Sequence, residues 1–293
     1  MGDVVSDNKQ DKATLSAITD ADLQAVSVFL HNHMNDKFSS EKWEKGITVN
    51  WLDEAPNHGF MLKHDGNIVG VLCAIYSEQY VDDVLEKFCN PHSWCVLPDH
   101  RKRSVDLVLA VIRQQGFHYT MFSPNVEGVQ IFSYLKFKPL DNTVSILLNV
   151  PALNFTRARI VDDSRVAVDL LPEPAKKYYK EHMQFPWLNL LAFGKEGKFG
   201  FIIYKKQELK KLPCALILYT SDEKLFHDCW ATIRTHLLMK HGFVTSKIEQ
   251  RLLARPLKYT LKKEPGGRKF FLSGKLPQDK IKYVYSELMA LDI

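Results

Sequence analysis

The sequence has no apolar run long enough to span a membrane, and its first residues lack the apolar core of a secretory leader. A membrane-spanning segment is therefore not expected, and the polar start, residues 1–12, reads as a loose tail. Cysteine is scarce. The five cysteines (Cys73, Cys89, Cys95, Cys214, Cys229) are odd in number and show no C-x-x-C spacing. That argues against a disulfide framework and a zinc site, and for a reduced, cytoplasmic protein with buried thiols. No long basic tract stands out, and a net charge of +5 is mild. Nucleic acid is not the expected partner; a small anionic cofactor suits that balance better. The sequence also lacks a Walker A loop, a G-x-G-x-x-G turn and a G-x-S-x-G elbow, which lowers kinase-like, dinucleotide-binding and serine-hydrolase readings.

What is present is an α/β pattern long enough for two ordinary domains. A strand at 14–19 leads to a helix at 21–32 capped by Asp20, and Ser40 caps a short helix at 41–49. Asp65-Gly66 joins two strands, 59–64 and 67–76, as a hairpin. A strand at 93–96 feeds a basic turn, and the helix that follows ends at Gly116. A strand at 119–122, a helix at 125–135 and a strand at 143–150 complete the first half. Pro151 marks the expected boundary, giving domains at 13–150 and 151–293. The second half has strands at 158–160, 188–193, 199–205 and 214–219, then a long helix at 223–240. Strands at 257–262 and 269–274 around Pro265-Gly266-Gly267 precede a final helix at 278–291. The order loosely repeats that of the first half, as two copies of one α/β unit would.

The most informative stretch is Val96-Leu97-Pro98-Asp99-His100-Arg101-Lys102-Arg103-Ser104, followed by an apolar helical run. Unpaired N–H groups at a helix start, ringed by cationic side chains, form an anion site, and a phosphate or pyrophosphate is its natural ligand.

In order and context these residues resemble the GNAT superfamily of N-acetyltransferases. That pattern is a strand ending V-x-P, a turn R-x-x-G-x-G/A and a helix. Here it stands as Val96-Leu97-Pro98 and Arg101-Lys102-Arg103-Ser104-Val105-Asp106. A second marker, an Asn leading a helix that ends L-G-F, stands as Asn125 and Leu135-Lys136-Phe137. The resemblance implies tandem GNAT-like mixed-sheet domains flanked by helices, the second lacking a phosphate-binding turn. It implies acetyl-CoA or another acyl-CoA as cofactor. Arg101, Lys102, Arg103, Ser104, Val105 and Asp106 would line its phosphates, Asn125 would meet the pantetheine arm, and Val96 and Phe132 would also lie beside the cofactor. Ser104 and Asp106 replace the turn glycines, and an Asp there repels pyrophosphate unless it turns away or pairs with Arg103. Phe132 replaces the tyrosine that usually protonates the leaving thiolate, and Tyr134 lies on another helix face.

The implied chemistry is transfer of an acyl group to an amine of a small molecule, such as an amino sugar or amino acid. It needs a base for the amine, for which His92 and Glu78 are candidates. It needs a donor for the oxyanion, which the resemblance places at the backbone N–H of Cys95 or Val96. His31, His33, Trp43 and Tyr80 are candidate acceptor contacts. The i, i+2 spacing of the two histidines argues against a metal site, and a polar helix end is the simpler reading of them. Trp43 and Trp51 read as core or as a sugar floor. Acid residues open the long helix of the second half, which suits its dipole but repels phosphate. Tyr178, Tyr179, Phe185 and Trp187 line an acceptor pocket or, more simply, fill a core. A non-catalytic GNAT-like scaffold and an O-acetyltransferase are the alternatives, and a homodimer stays open.

Overall fold

The computed structural model describes residues 13–152 and 157–292, so the expected tail at 1–12 lies outside the described residues. The chain forms two compact units. One holds the described residues through Gln79 together with Leu85–Met121, and the other holds Tyr80–Val84 and the residues from Phe122 onward.

The first unit is a sheet with strands in the order β1 (Thr14–Ala17), β2 (Gly59–His64), β3 (Asn67–Val81), β4 (Val84–Val96), β5 (His118–Met121). The first three are antiparallel, and β4 and β5 are parallel. Asp65-Gly66 and Asp82-Asp83 turn the two hairpins, all four at positive φ, the mirror-turn geometry that matches strand twist. Helices α1 (Leu23–His33) and α2 (Ser40–Ile47) pack on each other, and α3 (Ser104–Ile112) packs over β2. Leu107, Val108 and Val111 of α3 are fully buried at helical spacing, which contributes about 1.5–3 kcal/mol per side chain. The caps fall one residue before the expected ones. Thr19, not Asp20, precedes the first helical turn and donates to the Asp22 carboxylate, while Asp20 is engaged by His58 at 2.7 Å. Ser39, not Ser40, caps α2 by accepting from the Lys42 amide.

The second unit begins with α4 (Val126–Tyr134), β6 (Lys138–Pro139) and β7 (Thr143–Leu148). It continues through β8 (Arg159–Val161), α5 (Ser164–Leu170), α6 (Ala175–His182), β9 (Asn189–Lys195) and β10 (Lys198–Leu209). Then follow β11 (Leu212–Thr220), α7 (Glu223–His241), β12 (Thr245–Glu249), β13 (Thr260–Pro265), β14 (Phe270–Leu272) and α8 (Glu287–Ala290). Its large sheet runs β13-β7-β12-β11-β10-β9-β8. Within it β11 and β12 are parallel, joined by α7, just as β4 and β5 are joined by α3. Both units thus show hairpin, strand, helix, parallel strand in succession.

Several expectations need correction. The units divide at Phe122 rather than at Pro151, because β7 is buried on both faces and finds its two neighbours, β12 and β13, in the second sheet. Strands β13 and β14 do not form a hairpin: β13 pairs with β7, β14 pairs with β6, and the Gly266 amide is tied to the Asn142 carbonyl. The final helix shrinks to a 3₁₀ turn at Gln278–Lys280 and the four residues of α8. Tyr283, Val284 and Tyr285 are buried in succession, which no single helix face allows, and Tyr285 has φ +62°. Helices α5 and α6 and strand β12 were not expected from the sequence.

Candidate functional site

Strand β4 is long, and only its first part is paired to β5. The parallel ladder holds at Phe88↔His118 and Cys89↔Tyr119, and β4 then runs on to Val96 with no further pairing to β5. Where the ladder stops, a side chain takes over: Asn90 Nδ2 donates to the Thr120 carbonyl and hydroxyl, both at 3.1 Å. Three residues later Ser93 has φ +51°, an unusual value for a non-glycine inside a strand. Such a bend re-aims the backbone groups that follow, here those of Cys95 and Val96.

Beyond Val96 the chain tightens into a 3₁₀ turn, Pro98–Arg103, which passes straight into α3. No side chain caps the α3 N-terminus. The Ser104 amide donates to the Arg101 carbonyl of the preceding turn, so what favours an external anion there is the helix dipole together with the cations of the turn. Arg101 and Lys102 are exposed there and make no ion pair among the described residues. Arg103 behaves differently. Its Nε donates to Asp106 Oδ2 at 2.5 Å and its Nη1 to the Ala13 carbonyl at 2.8 Å. The Asp106 carboxylate is thus neutralised by Arg103, so it does not act on the turn as an uncompensated negative charge.

The other site candidates are placed as follows. Cys95 is half-buried; burial raises its thiol, Arg101 opposes that, and Sγ donates to the His33 carbonyl at 3.5 Å. His92 on β4 is 2% exposed, its Nδ1 is 2.9 Å from Ser93 Oγ, and burial pushes it down to about 3. It is neutral at physiological pH, and a group titrating there is a weak base for an alkylammonium ion. Glu78 lies within β3, its side chain 28% exposed, with Lys87 Nζ at 3.9 Å. Solvent reaches it, so of the two expected bases it is the one able to exchange a proton with water. His33 is exposed at the end of α1, and His31 Nδ1 is held by the Phe38 carbonyl at 2.7 Å. Trp43 is 2% exposed and bonded to the Asn35 carbonyl, which makes it core rather than a pocket floor. Among the described residues no cluster of His, Cys, Asp or Glu is placed to hold a metal ion.

Tyr80, Asn125 and Phe132 belong to the second unit. Phe132 is 0% exposed and packs on Phe137 and Phe270, so its expected place beside a cofactor is corrected to a core position. The Asn125 side-chain oxygen is spent capping α4, accepting from the Gly128 amide at 2.7 Å. Asn125→Ala is expected to cost about 1 kcal/mol of stability, read as a lower urea midpoint with an unchanged slope. Tyr80 is exposed, and its amide donates to the Tyr178 hydroxyl at 2.9 Å. Tyr178, Tyr179 and Phe185 are buried, so they fill a core. In the second unit the helix that corresponds to α3 is self-capped: Asp222 Oδ1 accepts from the Leu225 amide at 2.8 Å. A carboxylate already occupies the place an anion would take. The parallel pair β11/β12 also stays laddered longer, over Cys214–Ile217.

The mixed-sheet α/β architecture of this chain is the fold of solved GCN5-related N-acetyltransferases. No family model and no curated protein sequence matches the chain. Among solved structures it is similar to a GCN5-related N-acetyltransferase from Anabaena variabilis, at TM-score 0.59 and 9% identity, over 89% of this chain and 72% of that one. It is also similar to a probable N-acyltransferase from Enterococcus faecalis, at TM-score 0.57 and 11% identity, over 88% and 72%. A third similar structure contains a GCN5-related glucosamine N-acetyltransferase region of a fungal multi-domain β-N-acetylglucosaminidase, at TM-score 0.56 and 13% identity, over 89% and 38%.

Sequence reasoning missed Asn90, Thr120 and the bend at Ser93. No residue-type signal marks them, because Ser is not a residue that advertises positive φ. No helix among the described residues is long and apolar enough to cross a membrane.

Proposed function

We propose that this chain is an acyl-CoA-dependent N-acyltransferase, acting on a primary amine of a small molecule. The observation that carries the reading is the uncapped start of α3 beside exposed Arg101 and Lys102, reached from a β4 that has left its partner strand. When bound, an acyl-CoA supplies an activated thioester carbonyl. The Ser104 hydroxyl, the dipole of α3 and the two cations would hold its diphosphate. The backbone N–H of Cys95 or Val96, aimed by the Ser93 bend, donates to the oxyanion. Glu78 accepts the proton of the amine directly or through water, and His92, buried and neutral, positions β4 instead. No tyrosine stands at the usual acid position, and Phe132 cannot replace it, so protonation of a leaving thiolate would fall to solvent. His31 and His33 remain the candidate acceptor contacts, while Trp43 and Phe132 drop out because they are buried and Tyr80 belongs to the second unit. An amino sugar suits the description of the fungal neighbour as a glucosamine N-acetyltransferase region, and an amino acid is the other candidate.

Calorimetry with acetyl-CoA, followed by amine-dependent thiol release over a panel of amino sugars and amino acids, tests the reading. Arg101→Glu is expected to weaken acetyl-CoA about 10–100-fold without lowering the melting temperature, since it replaces one charge-assisted contact by repulsion. Unchanged affinity in that variant would place the diphosphate elsewhere. Binding without turnover over the whole panel would favour the scaffold alternative.

A further inference from the structure

The second unit contains a cavity of about 530 Å³ between α7 and the segment leading into β13. It is lined by Trp230 and Arg234 from the helix and by Arg255, Leu257, Lys258 and Tyr259 from the segment. None of these residues takes part in the acyl-transfer reading.

The chemistry of this cavity is unbalanced. Arg234 is 6% exposed, and its Nε and Nη1 are buried without a hydrogen-bond partner. No carboxylate pairs with it among the described residues; its guanidinium lies over the Tyr259 ring at 4.1 Å. Trp230, 4% exposed, also buries an unpartnered indole N–H. A buried guanidinium without a counter-charge is costly, and natural proteins keep such groups where something completes them. Tyr259 holds its ring there from a backbone at φ +65°, a strained value for an aromatic residue.

Charge and size define the missing group. The lining cations are Arg234, Arg255 and Lys258, and the single lining carboxylate, Asp228, is taken by Arg255 Nη2 at 3.3 Å. Arg255 Nε also donates to His227 Nδ1 at 3.1 Å, so the mouth is held as a small network. The remainder is two uncompensated positive charges, which match a dianion. Trp230, Leu257 and Tyr259 supply apolar and aromatic faces beside them, and the volume exceeds what a bare anion fills.

We propose that this cavity is a binding site for a small molecule in which a phosphate monoester is attached to a ring. The phosphate completes Arg234, the rim cations Arg255 and Lys258 draw it in, and the ring stacks against the aromatic faces. The inference is independent of acyl transfer, because it concerns a separate site in the second unit.

Calorimetry on the full chain tests it, with glucose 6-phosphate, inorganic phosphate, glucose and benzoate as probes. Saturable binding of glucose 6-phosphate, tighter than inorganic phosphate and absent for glucose, is expected. The rim variant Arg255→Ala/Lys258→Ala changes exposed side chains only and should weaken that binding about 10–100-fold. Arg234→Met should abolish it while keeping or raising the melting temperature, since it removes an uncompensated buried charge. Arg101→Glu should leave it unchanged, which separates this site from the α3 turn. No saturable binding up to about 10 mM, or undiminished binding in the rim variant, overturns the proposal. Benzoate binding more tightly than glucose 6-phosphate overturns the assignment to phosphate.

Discussion

Lowering the pH from 7 to 5 is expected to destabilise this protein by about 4 kcal/mol, with two buried histidines carrying the loss. His92 sits in β4 of the first unit, and burial holds it at about 3. His182 ends α6 in the second, fully buried beside Tyr285 with Nδ1 bonded to the Tyr178 carbonyl at 2.8 Å, and burial holds it at about 4. Both have an ordinary value of 6.5 once the chain unfolds. Above that pH neither state is protonated, and the histidines do not alter stability. Between it and the folded values the unfolded chain binds the protons and the native chain does not. Stability therefore falls as pH falls, by about 1.4 kcal/mol per histidine per pH unit, or about 2 kcal/mol each at pH 5. Urea unfolding at the two pH values and constant ionic strength measures this. His92→Gln with His182→Gln should flatten the dependence to within about 1 kcal/mol; an equally steep loss in that double variant would assign it to other groups.

Glu249→Gln is expected to cost about 3–5 kcal/mol, because it strands two buried cations at once. Glu249 ends β12 at 5% exposure. One carboxylate oxygen accepts from Arg251 Nε at 2.8 Å and the other from Lys269 Nζ at 2.6 Å. Lys269 also donates to the Tyr283 hydroxyl at 2.7 Å, and both cations lie over the Tyr283 ring. Burial pulls Lys269 below its ordinary value while Glu249 opposes the shift. Removing the carboxylate charge removes that opposition, so Lys269 loses its proton more readily in the variant. Replacing both partners, Glu249→Gln with Lys269→Met, should cost clearly less than the sum of the singles. Chemical denaturation of the four proteins gives the coupling energy, and an additive result would show that the charges do not act as a unit.

Much of the first unit is readable along the chain because its determinants are local. Asp65-Gly66 forces a tight turn, apolar spacing sets α1 and α3, and Gly242 at φ +70° stops α7 where a glycine after His241 says it should. The basic turn after Pro98 and the helix behind it are contiguous, so their order alone makes the junction legible. Misplaced elements have the opposite character. Residues 278–291 look helical by composition, but three consecutive buried residues, Tyr283, Val284 and Tyr285, satisfy neighbours on several sides. Trp43 and Phe132 look available by residue type, yet packing takes both out of reach of any ligand.

By itself the sequence determined where a run of cations meets a helix start, because residues close together in the chain need no distant partner to be neighbours. Tertiary structure decided that Asp106 is neutralised by Arg103, that His92 stays neutral and that β7 leaves the first half for the second sheet. It also brought Glu249 to Lys269 and left Arg234 without a counter-charge. Burial and pairing depend on segments far apart in the chain, and no local pattern of residues records which of them will meet.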